Sequence, residues 1–125
     1  MISYKLVEKM TLNEIQQCNN LINSSFKTNR FNDYVHAIMY VKDNEILGFV
    51  GIYDNLLNQL CTRAEYRKQG IASKILEACK TLLNVPFYLF IDKKKEDTEY
   101  LVNFYKKNNF LICDENEIEY KMMFK

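Results

Sequence analysis

The pattern of apolar residues predicts a single α/β (α+β) domain built on a mixed sheet of about seven strands, in the order β-α-(α)-β-β-β-α-β-α-β-β. Three observations carry this prediction. Alternating runs in the first half are joined by tight-turn dipeptides, as in an antiparallel meander. A helical stripe then lies between two apolar extended runs, Leu56 to Thr62 and Phe87 to Ile91, which makes a β-α-β crossover of right-handed sense. The chain has 125 residues, 48% hydrophobic and 26% charged. That is enough for one hydrophobic core and not for two, so residues 1–125 read as one domain.

Taken in order, Ile2 to Glu8 alternates as a strand. Thr11 is placed to cap a helix, and Glu14 three residues later completes a capping box. Leu12, Ile15, Cys18, Leu21 and Ile22 supply the helix's apolar stripe. Phe26 to Asp33 is polar and irregular, compatible with a second short helix. His36 to Lys42 and Glu45 to Tyr53 are strands separated by Asp43-Asn44, a hairpin turn, and Asp54-Asn55 turns the chain into Leu56 to Thr62. A helix from Gly70 to about Leu83 follows, burying Ile71, Ile75, Leu76, Cys79, Leu82 and Leu83.

After Pro86, Phe87 to Ile91 is continuously apolar, as in a strand covered on both faces. Lys93 to Asp97 is a charged loop, with acids following directly on three lysines. Thr98 to Lys107 is a helix with Leu101, Val102, Phe104 and Tyr105 on one side. Asn108-Asn109 ends it, because asparagine tolerates the left-handed conformation common at helix C-termini. Phe110 to Cys113 and Ile118 to Phe124 are the last two strands, turning through Asp114 to Glu117.

Composition narrows the functional classes. A net charge of +1 supplies no long-range attraction to nucleic acid or to an anionic membrane. No run approaches the roughly 20 apolar residues needed to span a bilayer, and Met1 to Lys9 is not a signal peptide. Cys18, Cys61, Cys79 and Cys113 are widely spaced, with one histidine (His36) in the chain. That pattern fits neither a metal site nor a disulfide framework, and reads as buried free thiols in a reducing cytoplasm.

Arg67-Lys68-Gln69-Gly70-Ile71-Ala72 is the most informative stretch. The chain has three glycines, and Gly70 stands at a strand-to-helix junction. A tight turn there gathers backbone N–H groups at the positive end of a helix, which suits an anion, phosphate in particular. The stretch is neither a Walker A motif nor GxGxxG. It fits [QR]xxGx[GA], with Arg67, Gly70 and Ala72 in the fixed positions. Here the chain resembles the GCN5-related N-acetyltransferase (GNAT) superfamily. Cys61 to Ala72 is similar to that family's V-x-P-E-Y-R-G-x-G-x-G segment, and Phe104-Tyr105-Lys106-Lys107-Asn108-Asn109-Phe110 to its F-Y-x-K-x-G-F. The element order agrees over nearly the whole chain.

The resemblance implies acetyl-CoA as donor cosubstrate, no metal, and a sheet splayed between the fourth and fifth strands. Backbone amides of Lys68, Gln69, Gly70, Ile71 and Ala72 would hold the pyrophosphate, with the Ser73 hydroxyl and a basic surround of Arg63, Arg67, Lys68 and Lys74. Leu60, Cys61 and Thr62 would hydrogen-bond the pantetheine arm. Tyr105 would protonate the departing thiolate, and Thr98 stands where many members carry a cofactor-contacting asparagine.

Lys68 replaces a usual glycine, Ala64 a usual proline and Asn109 another glycine. The base is not evident. Asn58 and Gln59 occupy the strand where some relatives carry a carboxylate, leaving water relayed to Glu65, His36 or a backbone carbonyl. His36 reads first as a structural strand residue. Tyr53, Tyr88 and Tyr120 are candidates for an acceptor pocket or for the core. The expected activity is transfer of an acetyl group to a primary amine of a small molecule or peptide by direct attack in a ternary complex. The alternative is a non-catalytic acyl-CoA-binding module. Exposed edge strands at either end could pair two copies of the chain as a homodimer.

Overall fold

Asp43 and Asn44 both adopt left-handed backbone (φ 52° and 64°), the geometry of the tightest hairpin turns. They join β2 (His36–Lys42) to β3 (Glu45–Tyr53), the centre of the first of two units into which the chain divides, Met1–Asn84 and Val85–Lys125. The computed structural model describes residues 1–26, 34–83 and 86–124, excepting the side chains of residues 23–26 and 59. The short helix expected within 26–33 falls largely outside them, and Phe26 itself ends the preceding helix.

The first unit also holds β1 (Ile2–Leu6), α1 (Leu12–Phe26), β4 (Leu56–Thr62) and α2 (Ile71–Leu83). Its strands run β1-β2-β3-β4, each antiparallel to the next. β1 stops two residues earlier than its alternation suggested. Val7 to Lys9 form a 3-10 turn, with the Val7 N–H donated to the Val35 carbonyl at 2.9 Å. The capping box forms as expected: the Glu14 N–H donates to Thr11 Oγ1 at 3.1 Å, and the Thr11 N–H to Glu14 Oε1 at 2.9 Å.

Cys18, Leu21 and Ile22 of α1 pack on one face of this sheet with Ala37, Met39, Phe49 and Cys61. Each fully buried aliphatic side chain there contributes about 1.5–3 kcal/mol. Leu12 does not join them and is 86% exposed. It lies about 120° round the helix from Cys18 and in the first turn, so the stripe's centre passes it by. Side chains alternate along a strand, so Gly48, next to Phe49, opens on the opposite face. A Cβ there would come within 3.1 Å of Ile71 and 3.3 Å of Ile75, so α2 covers that face. Ile71, Ile75, Leu76 and Cys79 of α2 are buried, whereas Leu82, in phase but in the last turn, is half exposed.

The second unit comprises β5 (Phe87–Asp92), α3 (Thr98–Lys107), β6 (Leu111–Glu115) and β7 (Glu119–Phe124). Its strands run β5-β7-β6, both pairs antiparallel. β6 extends two residues beyond its expected end, so the turn narrows to 116–118. β5 corrects one expectation. Phe87, Leu89 and Ile91 are buried, but Phe90 on the other face is 46% exposed. Continuous apolarity therefore marks one covered face here, with Lys121 lying 4.6 Å over the Tyr88 ring on the other.

Candidate functional site

β4 leads into the glycine-bearing turn through a bulge. Phe49 pairs with Cys61 and Gly51 with Asn58, so Gln59 and Leu60 together oppose the single residue Val50. Cys61 is 3% exposed and faces the α1 core, so it offers backbone rather than thiol at the strand end. Leu60 and Thr62 are half-buried.

Beyond Thr62 the chain makes a 3-10 turn, Ala64–Tyr66, fastened by the Arg63 N–H to the Leu47 carbonyl at 2.8 Å. Two side chains hold the following loop. Arg67 Nε donates to the Thr62 carbonyl at 3.2 Å, and Gln69 Nε2 to the Glu65 carbonyl at 3.3 Å. Sequence reasoning gave both residues to a ligand and did not foresee that they brace the turn.

Lys68 (φ 64°) and Gly70 (φ 83°) are left-handed, and the chain between them reverses into α2. The left-handed lysine explains why glycine suits this position: without a Cβ the conformation carries no steric cost. A Cβ on Gly70 would meet no protein atom within 4 Å, so the main chain there faces open space. Among the described residues, the first helical hydrogen bond after the loop is from the Lys74 N–H to the Gly70 carbonyl at 3.0 Å. The amides of Ile71, Ala72 and Ser73 thus precede the helix's internal ladder. No acidic residue occupies the first turn of α2, so the positive end of the helix is not offset there. Glycine conformation, open approach, leading amides and uncompensated dipole together fit a diphosphate.

The basic surround is smaller than the sequence suggested. Arg63 is committed to the Ile46 carbonyl (2.9 Å) and to Glu45 (3.3 Å). Arg67, Lys68 and Lys74 remain exposed, with Lys74 5.5 Å from the Tyr40 ring centre. On the other side of the strand end, Gln17, Asn20, Leu21, Arg63, Ala64 and Glu65 line a cleft of about 250 Å³.

In the second unit, Tyr105 is held by the helix ending that follows it. Asn109 is left-handed (φ 71°), its N–H donates to the Lys106 carbonyl at 3.0 Å, and the Phe110 N–H donates to the Tyr105 carbonyl at 3.0 Å. This is a Schellman ending, completed by the Tyr105 and Phe110 rings at 5.4 Å. The Phe104–Phe110 motif is therefore a helix stop that fixes the half-buried Tyr105 against a fully buried phenylalanine. The Thr98 hydroxyl serves its own loop, within hydrogen-bond distance of the Asp92 (2.6 Å) and Lys95 (2.8 Å) carbonyls.

His36 bonds through Nδ1 to the Tyr4 hydroxyl and stacks on that ring. It pairs with Ile52, which pairs with Leu57, so it sits level with the start of β4, roughly 16 Å along the strand from Thr62. Its ring is engaged with Tyr4 of β1. Burial pushes the Cys79 thiol up to about 12 and raises the Cys18 thiol also, with Cys61 adding to the latter effect. Both are inert at neutral pH. Cys113, expected inside, is exposed. No metal-binding cluster occurs among the described residues, and no described helix is long and apolar enough to cross a membrane.

The sequence profile of the acetyltransferase (GNAT) domain matches residues 33–111. No curated protein sequence matches the chain. Its fold is shared over nearly its whole length with solved structures of low identity. An acyl-CoA N-acyltransferase from Pseudomonas aeruginosa superposes with TM-score 0.77 at 18% identity, covering 100% of this chain and 99% of that one. The aminoglycoside 6'-N-acetyltransferase from Enterococcus faecium gives 0.79 at 16%, covering 98% and 95%. PaiA N-acetyltransferase from Thermoplasma acidophilum, solved in complex with coenzyme A, gives 0.73 at 14%, covering 100% and 99%.

Proposed function

Since the chain belongs to the acetyltransferase (GNAT) domain family, we propose that its 125 residues act as one domain transferring an acetyl group from acetyl-CoA to a primary amine. The single observation that carries this reading is the turn before α2. There, a left-handed Gly70 faces open space beside amides that precede the helical ladder. Lys68 to Ala72 hold the diphosphate through the main chain, and Arg67 keeps the turn folded by its bond to the Thr62 carbonyl. Ser73 adds a hydroxyl. Leu60, Cys61 and Thr62 present backbone groups at the bulged strand end to the pantetheine arm, as an added strand would be met.

The acceptor's neutral amine attacks the thioester carbonyl, forming the C–N bond of a tetrahedral adduct whose collapse breaks the C–S bond. Backbone N–H groups near Thr62 steady the oxyanion. Tyr105 gives its phenolic proton to the leaving sulfur; with an ordinary pKa of about 10 a phenol is protonated at neutral pH and able to donate. The nitrogen sheds one proton as the ammonium becomes amine and a second as the amide forms; both leave through water, with Glu65 as a relay since His36 is engaged elsewhere, and one returns to the Tyr105 phenolate. Thr98 contributes by shaping the loop before α3.

The test of the donor site is a thermal shift with coenzyme A in the intact chain and in Gly70→Glu. The reading expects stabilisation of the parent and none of the variant, whose carboxylate would occupy the anion's place. An equal shift in both would remove the turn from the site.

A further inference from the structure

We propose that the cleft beside the end of β4 takes an amino acid as acceptor, with Arg63 receiving its free carboxylate and Glu65 its ammonium. The proposal rests on the acetyl-transfer reading and names the acceptor class for it. The cleft has a volume of about 250 Å³, lies within the first unit and is lined by Gln17, Asn20, Leu21, Arg63, Ala64 and Glu65. Clefts that take drug-sized ligands run from roughly 300 to 1,000 Å³, so this one suits a smaller molecule. It opens one residue past Thr62, the last of the strand-end residues given to the pantetheine arm.

Arg63 is fixed from behind. Its backbone N–H donates to the Leu47 carbonyl at 2.8 Å, and its Nε donates to the Ile46 carbonyl at 2.9 Å with Glu45 at 3.3 Å. Its two Nη groups make no hydrogen bond among the described residues. They form a held pair of donors that matches a carboxylate in bidentate fashion. Glu45 lies on the Nε side and offsets part of the charge, so the fork's geometry does the selecting. Glu65 lines the same cleft with a carboxylate that no described residue pairs, and it makes no ion pair with Arg63. Opposite charges in one cleft, left unbridged, complement a ligand that carries both charges itself. A simple amine would leave the Nη fork unmatched, and a simple acid would leave Glu65 unmatched. Leu21, which is buried, and the unpartnered amide of Asn20 remain for the ligand's side chain, while Gln17 is engaged with Asn13, Asn44 and Ile46. Acetyl-CoA and the ammonium form of the amino acid give the N-acetyl amino acid, the coenzyme A thiol and one proton, which Glu65 passes to water.

The test measures thiol release from acetyl-CoA on each amino acid and on its decarboxylated amine, which keeps the ammonium and the side chain. In the parent chain the KM of the best amino acid should be at least about tenfold below that of its amine. Arg63→Gln should raise the KM of the acid at least about tenfold and leave the KM of the amine unchanged. Glu65→Gln should impair acid and amine alike, since both carry the ammonium. Arg63 also braces β3, so a coenzyme A thermal shift verifies that its variant folds, and the acid–amine comparison in the parent needs no variant. Equal KM values for acid and amine, or an Arg63→Gln that affects the two alike, would overturn the amino-acid assignment and leave acetyl transfer standing. Thiol release on no amine at all would overturn both, and a retained coenzyme A shift would then keep the donor site.

Discussion

Lys68 and Glu14 show how single residues carry strain and charge in this chain. Lys68 occupies left-handed backbone at φ 64°, which costs an L-residue about 1 kcal/mol. Lys68→Gly should therefore raise stability by about 0.5 kcal/mol after the entropy of the unfolded glycine is counted, readable as a small rise in Tm. A fall would mean that the lysine side chain makes a stabilising contact. Burial works to raise the Glu14 carboxyl, but the Lys5 ammonium at 2.8 Å and the Thr11 N–H outweigh it and hold the group below its ordinary 4.5. Because the folded pKa is depressed, its contribution is present above 4.5 and is lost as pH falls through the lower folded value. Glu14→Gln keeps the capping acceptor and should flatten the stability–pH curve below 4.5, checked by denaturant titration across that range. Tyr105→Phe should lower kcat with little change in the KM for acetyl-CoA, since the phenol acts only as sulfur charge develops. An unchanged kcat would move the acid elsewhere.

Among the elements, turns and caps were the most legible in sequence because their causes are short-range. Asp43-Asn44 and Asn109 adopt the left-handed backbone their residue types favour, and the Thr11–Glu14 box closes within four residues. Leu12, Leu82 and Phe90 were misread for the opposite reason: exposure depends on which partner reaches them, and apolar character alone does not record that. The β4 bulge was likewise invisible, since it reflects a register mismatch with β3 rather than a residue preference. Asn109→Gly should add roughly 0.5–1 kcal/mol by relieving the left-handed asparagine in the Schellman ending, whereas Asn109→Val should cost more than that. Gly51→Ala should destabilise by about 1–3 kcal/mol, because its Cβ would stand 2.4 Å from the buried Tyr34 ring. Equilibrium unfolding of the three variants checks these values, and a neutral Gly51→Ala would show that the ring yields.

For the molecule as a whole, motif and element order led to the family that the domain match then showed. The loop's own geometry was only partly legible. Its glycine announced an anion, but the bracing roles of Arg67 and Gln69 needed coordinates, because both depend on where the 3-10 turn carries the Thr62 and Glu65 carbonyls. The donor reading has a whole-chain consequence. A ligand at about a hundred times its Kd stabilises the folded state by about 2.7 kcal/mol, which for a chain of this length is roughly an 8–12 °C rise in Tm. The measurement closest to the central claim is thiol release from acetyl-CoA by the intact chain across polyamines, aminoglycosides, amino acids and peptides. Acetyl transfer predicts release that requires an amine, saturates with it, and is lost in Gly70→Glu. Tight coenzyme A binding with no thiol release on any amine would contradict it and leave an acyl-CoA-binding module.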